Sequence, residues 1–327
     1  EIYQCDWSSD VCSSDLTLLK PLKPAALSCR THALGRIFDI LAGLLGQGNP
    51  DFMCGAGFSD SPHFMYSGYD KNGEWYQLYQ ITFGGIPGKP FGDGPDGHSL
   101  WPSFTNVPNE FLESYFPLRI DIYETIVDTG GAGKNRGGNG LRIGYRFLEP
   151  GEISIHDDRW LTYPWGANGG EPGVRSRKLL QRANGTEELL PSKIDHVKVE
   201  AGDLLIADTW GGGGWGDPLE REAEKVAFDV EAGLVSVAGA RRYGVVIAAD
   251  GSVDAAATTA LRAEMSKKRG KKKIFDRGFE TIDELKARCK AETGFEPPRA
   301  PVFTKWAKVA AEALARSEEH TSELQSH

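Results

Sequence analysis

The sequence predicts an α+β protein in which a β-rich region of antiparallel or mixed sheet precedes a smaller C-terminal α/β part. The chain has 327 residues, and its 40 glycines and 18 prolines are typical of many short strands joined by turns. Apolar and polar residues alternate in several short runs between about residues 50 and 215. Helical spacing returns after Asp217. We therefore expect a β-rich domain over 17–215 and an α/β region over 216–315.

The first predicted element is an amphipathic helix over 34–47. Apolar residues recur there every three or four positions, as in Phe38, Leu41 and Leu45. The helix is apolar over much of its circumference. We therefore expect another part of the full-length protein to cover it.

Strands follow, and the clearest is Leu141–Leu148, where apolar residues alternate with Arg142, Gly144 and Arg146. The Asn-Gly pair at Asn184 is a strong hairpin signal, and we interpret it as a turn rather than a glycosylation site. The other predicted strands are 75–83, 118–127, 152–156 and 197–208.

The C-terminal part begins at a clear helix start. Asp217 can cap the helix, and Pro218 fits its first turn because the missing N–H costs nothing there. The apolar positions fit one helix over 219–233, which Gly233 closes. The remaining predicted elements are a short helix over 236–242, a strand over 243–248 and a solvated basic linker over 267–273.

The two ends of the chain share a DNA sequence rather than a protein pattern. Asp6–Leu16 and Arg316–Ser326 can be encoded by opposite strands of one library adapter. We therefore expect residues 1–16 and 316–327 to be adapter-derived, and we exclude them from the fold prediction. Most of the formal net charge of −9 lies in these ends. The nearly neutral remainder predicts no nucleic-acid partner.

The three cysteines between these ends are Cys29, Cys54 and Cys289, which are widely spaced and form no C-x-x-C motif. This pattern favours a reducing cytoplasm and argues against a structural zinc site. No apolar run reaches the roughly 18 residues of a membrane span, so we expect no membrane association.

A glycine stretch, DTGGAGKNRGG, runs from Asp128 to Gly138 and raises the question of phosphate binding. It is not a P-loop, because Asp128 replaces the first glycine and Asn135 replaces the hydroxyl residue after Lys134. It could form a long glycine hairpin in which Asp128 and Arg136 pair, or an anion site. On the second hypothesis Asp128 and Arg136 are catalytic. The substrate-binding residues are then Gly130, Gly131, Gly133 and Lys134.

Two histidines are further candidates for chemistry. His98 lies in a glycine-rich loop beside Asp93 and Asp96, which suits a catalytic general base or a metal ligand. His156 and Asp158 can point the same way at a strand end, so they are possible metal ligands. A metal site would need three or four converging ligands, and a single sequence does not reveal such convergence.

Five motifs, in order, resemble the hydantoinase B/oxoprolinase family. The glycine stretch and the block in which glycines precede Asp-Pro-Leu-Glu-Arg are specific in combination. The resemblance runs from about residue 20 to residue 247. The motifs are RTH at 30–32, DGPDGHS at 93–99, NVPNEFLE at 106–113, DTGGAGKNRGGNG at 128–140, and GGGGWGDPLERE with DVEAGLVSVAGARRYGVV within 211–246.

This resemblance implies the C-terminal half of a B-type subunit. Such subunits occur in N-methylhydantoinase, 5-oxoprolinase, and acetone and acetophenone carboxylases. It implies an A-type partner that uses ATP to phosphorylate a lactam or ketone oxygen, and a divalent metal whose ligands lie in an absent N-terminal half. The implied function is ATP-dependent hydrolysis of cyclic amides, with this fragment inactive alone. The alternatives are a fragment of a ketone carboxylase, or a scaffold in which the glycine and tryptophan blocks only dock the A-type partner.

Overall fold

The computed structural model describes residues 30–57, 62–98 and 105–297. The helices are α1 (Arg30–Gly48), α2 (Asn109–Tyr115), α3 (Ala223–Glu231), α4 (Ala255–Lys268) and α5 (Ile282–Thr293). The strands are β1 (His63–Tyr69), β2 (Trp75–Ile81), β3 (Leu118–Thr125), β4 (Leu141–Phe147), β5 (Gly151–His156), β6 (Gly166–Ala167), β7 (Arg177–Gln181), β8 (Glu187–Leu190), β9 (Lys193–Val199), β10 (Leu204–Asp208) and β11 (Phe275–Asp276). Residues 35–297 belong to one compact unit, which includes both sides of the predicted boundary at 215/216.

Two antiparallel sheets form the β-rich part. One has the strand order β2-β1-β5-β9, and the other has the order β3-β4-β10-β7-β8. Apolar side chains of both sheets share one buried core. In this core Phe64 of β1 stacks on Tyr145 of β4, with ring centroids 4.3 Å apart. The sheets therefore pack face to face, and the predicted α+β class is confirmed.

Alternation explains why the main strands could be predicted. In β4 the residues Leu141, Ile143, Tyr145 and Phe147 are buried, whereas Arg142 and Arg146 are only half-buried. The predicted strands at 75–83, 118–127, 141–148 and 152–156 are confirmed within one or two residues. The predicted turn at Asn184 is also confirmed, since it joins β7 to β8 and its side chain accepts a hydrogen bond from Thr186 N at 2.9 Å.

The predicted strand over 197–208 is wrong, because this run forms two strands in different sheets. β9 ends at Val199 and β10 begins at Leu204. Between them Gly202 has a φ of +92°, a conformation that few residues other than glycine adopt. The Asp203 carboxylate fixes this turn by accepting hydrogen bonds from Ala183 N at 2.8 Å and Glu200 N at 3.1 Å.

We expect Asp203→Asn to flatten the acid-induced loss of stability. Burial raises the pKa of Asp203, but two backbone N–H groups and Arg182 outweigh it, so the pKa lies below its ordinary value. A lowered pKa in the folded state gives stability that is present above the unfolded pKa of about 3.9 and is lost as pH falls further. Thermal melts between about pH 5 and pH 2 should therefore show a shallower decline in Tm for Asp203→Asn. Parallel declines for the two proteins would contradict this.

The C-terminal part differs from its prediction in two places. The helix predicted over 219–233 is broken at Arg221, so a short 3-10 helix, Pro218–Glu220, precedes α3. Asp217 does cap it, accepting a hydrogen bond from Leu219 N at 2.7 Å. The strand predicted over 243–248 is wrong. Instead, Gly239–Tyr243 forms a 3-10 helix. Gly244 caps this helix in a left-handed conformation, with a φ of +64°.

The basic run over 267–273 is exposed, as predicted, but it is not a free linker. Its first residues end α4, and Arg269 pairs with Asp217. Gly169 N donates to Lys273 O at 2.9 Å, which ties the run to the loop after β6. Among the described residues, no helix is long and apolar enough to cross a membrane.

Candidate functional site

The predicted glycine site lies inside a set of packed backbone segments, which we call the glycine bundle. Apart from the two-residue strand β6, which pairs with β11, the segments are neither helix nor regular strand, yet backbone hydrogen bonds join each of them to its neighbours. Strands of the two sheets lie between most of these segments along the chain. The glycine bundle consists of residues 53–57, 84–88, 92–98, 129–140, 164–174 and 209–216.

Gly211–Gly214 forms the centre of the glycine bundle. Gly211 N donates to Val174 O at 2.9 Å, and Gly212 N donates to Gly138 O at 2.8 Å. Gly213 N and Gly214 N donate to Ala56 O and Glu171 O, at 2.7 and 2.9 Å. These four consecutive amides therefore bind different parts of the surrounding backbone. Trp210 and the four glycines are buried, so these residues are not exposed for contact with a partner.

The predicted substrate-binding glycines are buried in the same bundle. A Cβ atom added to Gly130 would lie under 3.0 Å from backbone atoms of Gly137 in the same segment, and one added to Gly131 or Gly133 would lie equally close to backbone atoms of a neighbouring segment. Glycine is needed here for the close approach of two backbones. The glycine stretch therefore fills space within the protein.

This packing limits what the stretch can bind. Gly130 N donates to Asn139 Oδ1 and Gly131 N donates to Gly212 O, both at 2.8 Å, so these amides do not form an anion nest. The carbonyl oxygens of Asn135 and Trp215 lie beside Gly133, where they would repel an anion, and the nearby Trp215 N–H already donates to Asn135 O. Lys134 alone of the predicted group is exposed. Of the predicted substrate-binding residues, the Lys134 ammonium group is therefore the one that could bind an anion from solvent.

Arg136 lies at the edge of the bundle in a buried ion-pair network. Its guanidinium binds both oxygens of Asp96, at 2.7 and 3.0 Å, and lies 3.8 Å from Asp229. Its backbone N–H donates to Asp93 at 2.6 Å. Burial lowers the pKa of Arg136, but Asp96 and Asp229 outweigh it and hold the pKa above its ordinary value.

Arg221 completes this network from the C-terminal part. It binds both oxygens of Asp93 at 2.7 and 2.8 Å, and it binds Asp229 of α3 at 2.8 Å. Burial raises the pKa of Asp229 above its ordinary value even though two arginines lie nearby. Burial also raises the pKa of Asp93, but Arg221 and Arg136 outweigh it and hold that pKa below its ordinary value. The network therefore joins the bundle to α3 through charge-assisted hydrogen bonds.

Asp128 also joins the bundle to the C-terminal part. Its φ is +64°, an uncommon conformation for a residue other than glycine, and its carboxylate accepts a hydrogen bond from Ser236 N at 2.9 Å. Asp128 and Arg136 do not pair with each other, so the ion pair considered from the sequence is wrong. Each holds a different part of residues 221–239 against the bundle. Their catalytic roles stay predictions, and their described contacts are structural.

His98 is exposed at the end of a bundle segment. Its backbone N–H donates to Gly84 O at 3.0 Å. The neighbouring carboxylates of Asp93 and Asp96 point to the arginines of the network. His98 remains accessible to a ligand from solvent, and a role as general base stays a prediction.

The possible metal ligands lie in a separate ion-pair region at the end of β5. His156 Nε2 is 2.9 Å from Asp195, and Asp158 is 2.8 Å from Lys193. Asp157 between them is buried and pairs with Lys178. Among the residues that the structure describes, no three His, Cys, Asp or Glu side chains form a group that could hold a metal ion. Metal binding by His156 and Asp158 stays a prediction.

Sequence reasoning missed Arg221 and Asp229. A signal was present, because Asp229 lies three residues after Val226 on the face of α3 that is buried. A carboxylate on an apolar helix face needs a buried cation or a hydrogen-bond donor. Arg221, just before the helix, supplies that cation.

The sequence profile of the hydantoinase B/oxoprolinase family matches residues 9–218. The chain belongs to this family. It is 33% identical over 251 residues to a protein of Pseudomonas sp. (strain NS671) named as a candidate B-type subunit of a D-/L-hydantoinase, covering 75% of this chain and 42% of that protein. It is 30% identical to the beta subunit of the caprolactamase of Pseudomonas jessenii, covering 76% of this chain and 45% of that subunit. The chain thus spans less than half the length of these relatives.

Two solved structures share the fold. The crystal structure of the ATP-dependent caprolactamase from Pseudomonas jessenii aligns with a TM-score of 0.62 and 27% identity, over 76% of this chain and 45% of that chain. The nucleotide-free structure of acetone carboxylase aligns with a TM-score of 0.58 and 23% identity, over 69% of this chain and 35% of that chain. The second likeness concerns the fold alone. The predicted family is confirmed.

Proposed function

We propose that this hydantoinase B/oxoprolinase family chain is part of a B-type subunit that hydrolyses cyclic amide bonds in an ATP-dependent complex with an A-type subunit. The observation that carries the proposal is the similarity to two proteins named as subunits of cyclic amide hydrolases, each over about three quarters of the chain. ATP would be used by the A-type subunit, which agrees with the absence of a P-loop from the glycine stretch.

Within this subunit the glycine bundle acts as a rigid frame. Its amides bind one another and its arginines bind aspartates, so it holds fixed positions for the residues at its surface. His98 and Lys134 are the two predicted site residues that are exposed on this frame. His98 would accept a proton from the attacking water, and Lys134 would attract an anionic, phosphorylated intermediate.

The complete B-type reading frame, expressed with its A-type partner, tests the proposed activity. We expect ATP-dependent ring opening of at least one of hydantoin, 5-oxoproline and caprolactam, with phosphate released in step with product. Without ATP there should be no product. A complex that instead consumes ATP and bicarbonate only when acetone or acetophenone is present would favour the ketone carboxylase. An intact complex inactive on both substrate classes would favour the scaffold.

In the same complex we expect His98→Ala to lower kcat by about 100-fold or more, because a general base contributes that much. The fold should be unaffected, since the described contact of His98 is made by its backbone. His196→Ala is a matched control, as His196 is an exposed histidine on β9 that pairs with Glu152. Equal kcat values for both variants and the unmodified complex would remove His98 from the mechanism.

A further inference from the structure

The basic run over 267–273 lies near the part of the glycine bundle that carries Lys134. Four backbone segments lie next to one another there. Asn135 pairs with Trp215, Trp215 pairs with Ala167, and the strand β6, which contains Ala167, pairs with β11. Neighbouring segments that pair in this way are about 4.8 Å apart, so Lys134 and the residues just before β11 are separated by about 14 Å.

Contacts at Gly216 and Asp217 bring Lys134 close to Arg269. Lys134 N donates to Gly216 O at 3.2 Å, and a Cβ atom added to Gly216 would lie 2.9 Å from Lys134 Cβ. The next residue, Asp217, pairs with Arg269 of the basic run. Two basic residues that are far apart in the sequence therefore contact consecutive residues of the bundle and its C-terminal neighbour.

Lys272 reaches the same area from the other end of the row of segments. Gly169 N donates to Lys273 O at 2.9 Å, which fixes the run beside the loop after β6. The Lys272 side chain extends over that loop, because a Cβ atom added to Gly169 would lie 2.8 Å from Lys272 Cε. The long side chain of Lys272 therefore lies against the protein instead of extending freely into solvent.

The positive charge in this area is only partly neutralised. Four exposed basic residues form what we call the cationic surface, namely Lys134, Arg269, Lys271 and Lys272. Two carboxylates lie close by, but Asp217 is paired with Arg269, and Asp276 is paired with Lys273 at 3.0 Å. Among the described residues, no carboxylate lies within ion-pair distance of the three lysines of the cationic surface. Like charges gathered in this way repel one another and attract an anion from solvent.

We propose that the cationic surface binds a phosphorylated small molecule and guides it to Lys134. This inference rests on the proposed function, in which Lys134 attracts an anionic, phosphorylated intermediate. A surface of one charge sign can raise the local concentration of an oppositely charged ligand, and its association rate, by about 10-fold or more. Because the cations are spread over about 14 Å of exposed surface, they act by attraction over a distance rather than as a closed pocket.

Calorimetric titration of this chain with inorganic pyrophosphate tests the binding without turnover. We expect Lys271→Gln with Lys272→Gln to raise the Kd of pyrophosphate by about 10-fold at low salt. The effect should shrink between about 0.01 M and about 0.1 M salt, because the Debye length falls from about 30 Å to about 10 Å. Lys71→Gln with Lys198→Gln is the matched control. It removes the same charge from two exposed lysines of the four-stranded sheet and its β1–β2 turn, and it should leave the Kd unchanged.

Steady-state kinetics of the complete complex tests the guiding role. We expect Lys271→Gln with Lys272→Gln to lower kcat/KM by about 10-fold at low salt and to leave kcat unchanged, since these residues affect the arrival of the intermediate and not its chemistry. The kcat/KM of the unmodified complex should fall as salt is added. The kcat/KM of the double variant should depend on salt much less.

The outcomes separate this inference from the proposed function. Equal Kd values of pyrophosphate for the Lys271/Lys272 variant and its control would overturn the anion site, whatever the activity of the complex. A raised Kd with an unchanged kcat/KM would overturn the guiding role. Loss of the A-type subunit from the variant complex in size-exclusion chromatography, with an unchanged Kd, would assign the surface to that partner instead. A raised Kd in a protein whose complete complex opens no ring would support the anion site and refute the proposed function.

Discussion

Replacing Arg221 with Met is expected to destabilise the protein by about 3–5 kcal/mol, the usual cost of breaking a buried ion pair. Arg221 is 2% exposed, and it holds both oxygens of Asp93 and one oxygen of Asp229. Its loss would leave the buried Asp229 carboxylate with only the longer 3.8 Å contact to Arg136. Urea unfolding monitored by circular dichroism would give the free energy of unfolding of both proteins.

An exposed ion pair provides the control for this substitution. Arg119 pairs with Asp121 on β3, and its side chain is 58% exposed. Arg119→Met should therefore leave the free energy of unfolding almost unchanged, because solvent screens an exposed ion pair. Adding Asp229→Leu to Arg221→Met should recover part of the free energy of unfolding that the single variant loses, because it removes the unpaired carboxylate. A cost for Arg221→Met as small as that for Arg119→Met would mean that the network adds nothing to stability.

The stability of the Arg221→Met variant should also depend on pH in a different way from that of the unmodified protein. In the unmodified protein Arg221 helps to hold the pKa of Asp93 below its ordinary value, which gives stability that is lost as pH falls. Without Arg221 that contribution is reduced, and the already raised pKa of Asp229 should rise further. A raised carboxyl pKa favours the folded state as pH falls. The stability difference between the two proteins should therefore shrink between about pH 7 and pH 4.

The strands were predictable because they show their burial in the sequence. In β4 every second side chain enters the core, so alternation alone located it within one residue at its C-terminal end. The run over 197–208 was harder. The register of its two halves is set by pairing with different sheets, and only the Gly202 turn marks the break. Alternation describes faces of a strand and carries little information about sheet membership.

The glycine bundle could not be predicted in the same way. Hydrophobic periodicity is read from side chains, and the four glycines at 211–214 have none. Their burial therefore leaves no pattern in the sequence. Their role is decided by which other backbones approach them, which is a property of the whole fold. The ordered motifs did predict the family correctly, but the contacts of Arg136 with Asp96 and Asp229 depend on segments that are distant in sequence.

The second large effect is expected for Gly213→Ala, which should destabilise the protein by more than about 4 kcal/mol or prevent folding. A Cβ atom at Gly213 would lie under 3.0 Å from Trp165 O. That oxygen cannot move aside freely, because it accepts a hydrogen bond from Ala56 N at 2.8 Å. Relieving the overlap would therefore separate three segments of the glycine bundle. Circular dichroism melts and the intrinsic tryptophan fluorescence, to which the buried Trp210 contributes, would report this loss.

Gly92→Ala is the matched control, because Gly92 belongs to the same bundle but has no atom within 4 Å of an added Cβ and no positive φ. This change should leave stability within about 0.5 kcal/mol or raise it slightly, since alanine restricts the unfolded chain. The contrast separates close backbone approach from a general effect of losing glycine. If Gly213→Ala and Gly92→Ala melted at the same temperature, the central segment would tolerate side chains, and the glycine bundle could not be the rigid frame on which His98 and Lys134 are held.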